Sequence, residues 1–231
     1  MTTTWWINGA LVPAAQAAVA ADDHGLIVGD GVFETLKIEC GIPFAIGRHL
    51  ARLRRSATGL GIRVPYDDDQ LRAAISHTVA ASNLDRARLR LTVTAGRGPL
   101  ASGRGETTSP VLLGVEPQPP PQQTSRVANA PWARNERGAT TGIKTTSYAE
   151  NVIALAWARQ RKADEAILTN TAGRLCEGTG SNVFVVIDGR TLTPAALGRL
   201  PGRHHPCFAA RGGRGGGSRP FADLVARSND P

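Results

Sequence analysis

Sulfur and aromatic groups are scarce in this 231-residue chain, which holds three cysteines, one methionine, four tryptophans, two tyrosines and five phenylalanines. Cys40, Cys176 and Cys207 are odd in number and far apart. That excludes a disulfide-stapled scaffold and offers no metal-ligand spacing, so reduced thiols in a cytoplasmic protein are expected. No apolar run is long enough to cross a bilayer, and Met1–Trp6 lacks the basic start and apolar stretch of a secretory leader. No Gly-x-Gly-x-x-Gly falls between a strand and a helix, which excludes a dinucleotide loop; Gly96-Arg97-Gly98-Pro99 reads as a turn. The formal net charge of +8 raises the question of nucleic acid. Residues 203–231, where five arginines face two aspartates, carry +3 of it and leave a modest +5 elsewhere, and neither a recognisable binding fold nor interleaved aromatics accompany it. The excess reads as solvated charge.

What is present describes a packed α+β protein. Apolar residues make up 41% of the chain, enough for a core. Trp5–Val12 reads as a hairpin turning at Asn8-Gly9, and Val32–Ile38 with Pro43–Ile46 as another around Cys40-Gly41. Leu50, Leu53, Ala57 and Leu60 recur at spacings of three and four, which predicts a helix over 48–60 closed by Gly61. Asp67-Asp68-Asp69 suit the positive end of a second helix over 68–81. Strands at 87–94 and 111–115 complete a small domain, 1–116, and the prolines of 117–125 form a stiff linker. A second domain spans 126–202. It opens on a strand at 126–131, and a Ser147–Glu150 capping box starts a helix running to about Lys162. Val152, Leu155 and Ala156 make the apolar face of that helix, and short strands follow at 166–169, 174–176, 182–187 and 191–193.

Two residues in this second domain form a chemical pair. Lys144, in Gly142-Ile143-Lys144-Thr145-Thr146-Ser147-Tyr148, places an amine just ahead of a helix. Glu177 opens Glu177-Gly178-Thr179-Gly180-Ser181-Asn182-Val183-Phe184. An amine can condense with an aldehyde and then act as a base, and a carboxylate can hold a protonated ring nitrogen. Ordered motifs surround the pair: Asp23-His24-Gly25, Gly29-Asp30-Gly31-Val32-Phe33-Glu34-Thr35, His49-Leu50-Ala51-Arg52-Leu53 with Ser56-Ala57, Asp164-Glu165-Ala166-Ile167 and Thr193-Pro194. On these motifs, which run through residues 5–202, the chain resembles the fold-type IV pyridoxal phosphate enzymes. That family comprises branched-chain and D-amino-acid aminotransferases and aminodeoxychorismate lyase.

The resemblance implies a two-domain α+β fold whose larger second domain, a pseudo-barrel, is truncated here. It implies pyridoxal 5'-phosphate as cofactor, with Lys144 as Schiff-base amine and proton shuttle and Glu177 facing the pyridine nitrogen. Arg52 would hold the phosphate, Tyr148 the phenolic oxygen, and Asn182 the turn supporting ring and phosphate. Composition alone leaves Tyr148 open to a second role as a core aromatic. Phe33 falls either on the substrate side or in the core, and Arg97 either binds a substrate carboxylate or is an exposed turn arginine. His24, His49 and His77 receive no ligand role, and His49 is expected to bond within its own helix. The implied partners are a small amino substrate and a second copy of the chain, without metal, membrane or nucleic acid.

Gly29–Thr35 and Lys144–Tyr148 look most like the lyase, which releases pyruvate from 4-amino-4-deoxychorismate and leaves 4-aminobenzoate on the folate route. The alternative is an amino-acid transaminase. Branched-chain type is preferred over D-specific, because Thr94-Ala95-Gly96 lacks the arginine of a carboxylate trap. After Gly202 the family pattern stops. Arg203-His204-His205-Pro206-Cys207 can be written CGT CAC CAC CCG TGC, and dropping the first base gives Val-Thr-Thr-Arg-Ala, a family-like run. Residues 203–231 are therefore expected to come from a shifted reading frame, with the rest of the second domain lost. A natural low-complexity tail, an Arg/Gly nucleic-acid-binding segment and an inactive remnant are the other readings.

Overall fold

Two tight turns shape the first sheet. Asn8 and Gly9 both take positive φ between β1 (Thr4–Ile7) and β2 (Ala10–Val12). After the single turn α1 (His24–Ile27), Cys40 and Gly41 do the same between β3 (Gly31–Glu39) and β4 (Ile42–Pro43). These primed turns match the right-handed twist of paired strands. The computed structural model describes residues 3–194, so expectations for residues 195–231, the tail included, lie outside the described residues. Two compact units divide the chain: Met1–Pro121 with Ile143–Tyr148, and Gln122–Gly142 with the chain from Ala149 onward.

In the first unit, helices α2 (Ile46–Leu60) and α3 (Asp68–Ser82) precede strands β5 (Arg86–Thr94) and β6 (Val111–Pro117). The sheet is antiparallel throughout, in the order β2-β1-β6-β5-β3-β4. β3 and β5 pair over their full length, from Gly31↔Thr94 to Glu39↔Arg86. Strand alternation puts Val32, Leu36, Ile38, Leu89, Leu91 and Val93 on one face, where they meet Leu50, Leu53, Leu71 and Ile75 of the helices. Each such fully buried side chain contributes roughly 1.5–3 kcal/mol. α2 ends as expected on Gly61 in the left-handed conformation, and α3 opens on a reciprocal capping box between Asp67 and Gln70.

The second unit contains a parallel β-α-β crossover, β7 (Val127–Arg134), α4 (Ala149–Gln160) and β8 (Glu165–Asn170). β9 (Leu175–Gly178) pairs antiparallel with β8, and β10 (Val185–Ile187) with β11 (Arg190–Leu192) makes a separate hairpin. Two expectations for α4 change. The helix starts at Ala149, so Tyr148 and not Ser147 precedes its first residue, and the Ser147 hydroxyl donates to the Gly29 carbonyl. Its buried stripe is Asn151, Ala154 and Ala158, while Val152 and Ala156 are exposed. Small side chains let the helix lie close on β7 and β8, which is why alanines face inward here. The helix stops two residues before Lys162, which takes a left-handed φ of 59°.

Candidate active site

Lys144 is held by its own backbone. Its N–H donates to the Ser56 hydroxyl of α2 (3.1 Å), and its carbonyl accepts from the Phe33 N–H of β3 (3.0 Å). Thr146 N–H donates to the Gly31 carbonyl, and Thr145 bridges Val32 in antiparallel fashion, so residues 144–146 extend the sheet along the edge of β3 that β4 leaves uncovered. The Gly29 carbonyl accepts the hydroxyls of Thr145, Thr146 and Ser147 at 3.4, 2.9 and 3.0 Å. Gly31 is required by this closeness: a Cβ there would come within 2.9 Å of both the Thr146 hydroxyl and the Val93 backbone carbonyl. With both main-chain groups bonded, the direction in which the Lys144 side chain leaves the chain is fixed.

That side chain meets aromatic rings. Lys144 Nζ lies 4.4 Å from the Phe33 ring centroid and 6.0 Å from that of Tyr148, and the two rings stand edge to face at 5.2 Å. Phe33 is only 3% exposed and sits on the sheet face opposite the helices. It is thus buried on the amine's side of the sheet and outside the aliphatic cluster of the other face. Arg90, one register step from Phe33 on β5, places its guanidinium carbon 3.8 Å from the same ring centroid. Burial pulls its pKa below the ordinary arginine value, opposed by Tyr148. Among the described residues no carboxylate pairs with Arg90; its Nε donates to Thr92 at 3.2 Å.

Arg52 is bound on the other face of the sheet. Its Nε and Nη2 donate in a fork to the two oxygens of Glu34, each at 2.6 Å. The hydrogen bond to Glu34 raises its pKa, against burial. His49 Nδ1 lies 2.7 Å from Glu34 Oε2 across on β3, and 3.5 Å from Arg52 Nη2 within its own helix. Arg97 forms an exposed ion pair with Asp22 at 2.8–3.0 Å. Arg97 thus lies exposed on its turn.

The second unit carries the acidic residue. Glu177 on β9 is half-exposed and its Oε1 lies 3.2 Å from Arg134 Nε, which is buried and lacks an aligned hydrogen bond. Just after it, Glu165 gathers the turn 178–181, accepting from the Thr179 N–H and hydroxyl and from the Ser181 hydroxyl. Asn151 donates to the Thr179 carbonyl from the far side. Desolvation raises the Glu165 pKa but these donors outweigh it, and the net shift is downward. Asn182 is exposed beyond that turn. Neighbouring Cys176 is buried, which with the Glu177 charge pushes its thiol up to about 11.

Comparison with known proteins gives the family of the chain. A family model for amino-transferase class IV matches residues 31–203. The putative branched-chain-amino-acid aminotransferase of Methanocaldococcus jannaschii is 32% identical over 193 residues, covering 82% of this chain and 67% of the relative. The D-alanine aminotransferase of Bacillus licheniformis is 32% identical over 180 residues, covering 77% and 63%. A solved T.th. branched-chain amino acid aminotransferase with pyridoxamine 5'-phosphate superposes with a TM-score of 0.73 at 25% identity, over 84% of this chain and 67% of that one. The chain belongs to the amino-transferase class IV family, whose members are fold-type IV pyridoxal phosphate enzymes. It spans about two thirds of the length of the relatives it matches.

The donor set fits that cofactor. An aldehyde needs an amine, a phosphate needs a planar cation, and a phenolic oxygen needs a hydrogen-bond donor. Lys144, Arg52 and Tyr148 are groups of these kinds within the first unit, and Glu177 is an acid of the second. Arg90, Glu34 and Arg134 escaped the sequence reading. Arg90 carried a faint signal as the third of Arg86, Arg88 and Arg90, which alternate on one strand face. Glu34 was hidden inside an apolar strand pattern.

Proposed function

We propose that this chain uses Lys144 as the amine and proton carrier of a pyridoxal phosphate enzyme, and that its reaction is amino-acid transamination. When bound, the cofactor supplies an electron-withdrawing pyridinium that makes the substrate Cα proton acidic. Lys144 Nζ moves that proton, a task for an amine whose position is fixed. Glu177 keeps the proton on the ring nitrogen, and Arg52 holds the phosphate. Tyr148 donates to the phenolic oxygen, and Asn182 supports the turn beside it. Arg90 binds the substrate carboxylate, a role for which its guanidinium lacks a competing acid among the described residues; Arg97 is already engaged by Asp22. Phe33 walls the amine from water. The observation that carries this reading is the anchored Lys144, its amine against the same ring that Arg90 covers.

The aminotransferase names of the relatives support transamination, with a branched-chain substrate favoured over a D-amino acid by Thr94-Ala95-Gly96. Aminodeoxychorismate lyase is the second reading, favoured by the sequences Gly29–Thr35 and Lys144–Tyr148. Under either, the active form is a cytoplasmic homodimer. The test supplies the purified chain with pyridoxal phosphate and either a branched-chain amino acid with a 2-oxo acid, or 4-amino-4-deoxychorismate. A new amino acid that Lys144→Ala fails to make supports the transaminase. 4-Aminobenzoate with pyruvate establishes the lyase and its place on the folate route. Neither product, with no visible absorbance band from the cofactor, overturns both and leaves the inactive remnant.

A further inference from the structure

Glu34 has no place in an aliphatic face. It is fully buried between Val32 and Leu36 on the side of β3 that packs against α2. A carboxylate there loses its water and would be replaced at gain by an apolar residue unless its bonds serve something. Both its oxygens are filled, by two nitrogens of Arg52 and one of His49. Arg52 is bound to Glu34 only through Nε and Nη2, so Nη1 is outside the fork, and its side chain is a third exposed. Guanidinium geometry is planar, so fixing two of its nitrogens fixes the direction of the third. His49, in turn 2.7 Å from Glu34 Oε2, blocks the carboxylate from rotating away.

We propose that Glu34 and His49 are positioning residues that aim Arg52 at the phosphate of the cofactor. The inference rests on the pyridoxal phosphate reading, and deepens it. Charge alone argues the opposite sign: removing the Glu34 carboxylate would unmask the arginine and tighten the hold on a phosphate. A clamp that works by aim loses affinity instead.

The experiment titrates the full chain, freed of cofactor, with pyridoxal 5'-phosphate and with pyridoxal, following the quenching of tryptophan fluorescence. The ratio of the two affinities isolates the phosphate. Glu34→Gln keeps the shape but sets an amide against Arg52; it is expected to weaken pyridoxal phosphate by about tenfold and to leave pyridoxal unchanged, the loss of roughly one charge-assisted hydrogen bond. Arg52→Ala should abolish the phosphate preference, and adding Glu34→Gln to it should change nothing more, because the two act through one group. His49→Gln, a surface-reaching helix residue, carries the test if Glu34→Gln does not fold, with an expected loss of about threefold in the same ratio. Equal or tighter phosphate binding in Glu34→Gln, or equal losses for both ligands, overturns the proposal; where that variant does not fold, an unchanged ratio in His49→Gln does so. Retention of the preference in Arg52→Ala, or no binding by the unaltered chain, overturns the underlying reading instead.

Discussion

The two units differ in what their cores are made of among the described residues. The amine side rests on large aliphatic side chains from a six-stranded sheet and two fifteen-residue helices. The acidic side rests, among the described residues, on Ala154, Ala158, Ala163, Ala166 and Leu168, with Ala128, Ala130 and Trp157 packed around them. Methyl groups remove far less area from water than isobutyl groups, so the described core of the second unit gains less from burial per residue. Its described residues also carry polar bonds, among them those of the Glu165 turn. Among the described residues, Lys144 thus stands on a frame with larger buried side chains than Glu177 does.

The largest effect expected from probing this contrast is chemical. Lys144→Ala should lower turnover by ~1000-fold, since a positioned acid–base group contributes on this scale. Its urea midpoint should stay at the unaltered value, because the frame is held by main-chain bonds that alanine keeps. A large fall in the midpoint would show that the side chain supports the first unit. Next in size come paired core truncations. Leu53→Ala, fully buried in α2, should cost about 2–5 kcal/mol in urea unfolding. Ala158→Gly in α4 should cost only about 1 kcal/mol, mostly backbone freedom. Equal costs would erase the distinction between the units.

A smaller effect is expected from acid. The hydrogen bonds of Arg52 and His49 hold the Glu34 carboxyl below its ordinary range despite burial. A depressed folded value means the unfolded chain takes up the proton first on acidification. Stability supplied by Glu34 is therefore full at neutral pH, begins to fall near the ordinary glutamate value of about 4, and is gone below the folded value. Urea midpoints measured across this range should fall less steeply for Glu34→Gln than for the unaltered chain. The smallest perturbation is a label. Exposed Cys40 should react with a thiol reagent at mildly alkaline pH, while Cys176, buried and pushed up to about 11, should react only as the second unit opens. Peptide mapping after brief labelling reads both, and equal labelling would mean that the second unit opens as fast as the reagent reacts.

Local signals were legible in the sequence wherever one short stretch decides its own conformation. Asn8-Gly9 forms the turn that this pair favours, Cys40-Gly41 turns where a glycine follows, and Leu50, Leu53 and Ala57 make the face their spacing describes. The order of motifs was enough to point to the family. Contacts between distant segments left no such trace. Arg52 stood among Arg48, Arg54 and Arg55, and only the fold shows that it is the one tied to Glu34. The inward alanines of α4 lost to Val152 and Leu155 in a reading based on hydrophobicity, because closeness of packing is a property of the neighbouring strands. Arg90 became notable only once β5 was laid beside β3 with Phe33 across the pair.

The addition of residues 144–146 to the rim of β3 bears on how the protein is made. As the nascent chain leaves the ribosome through Pro121, every other strand of that sheet has been synthesised, yet the main-chain groups of Gly31 and Phe33 still lack their partners. An open strand rim of this kind invites pairing with another chain. The stretch from Gln122 to Gly142, which belongs to the other unit, must first be translated. Biogenesis of the amine-bearing half thus waits on a segment encoded downstream of part of its neighbour, and the two halves cannot mature in strict succession.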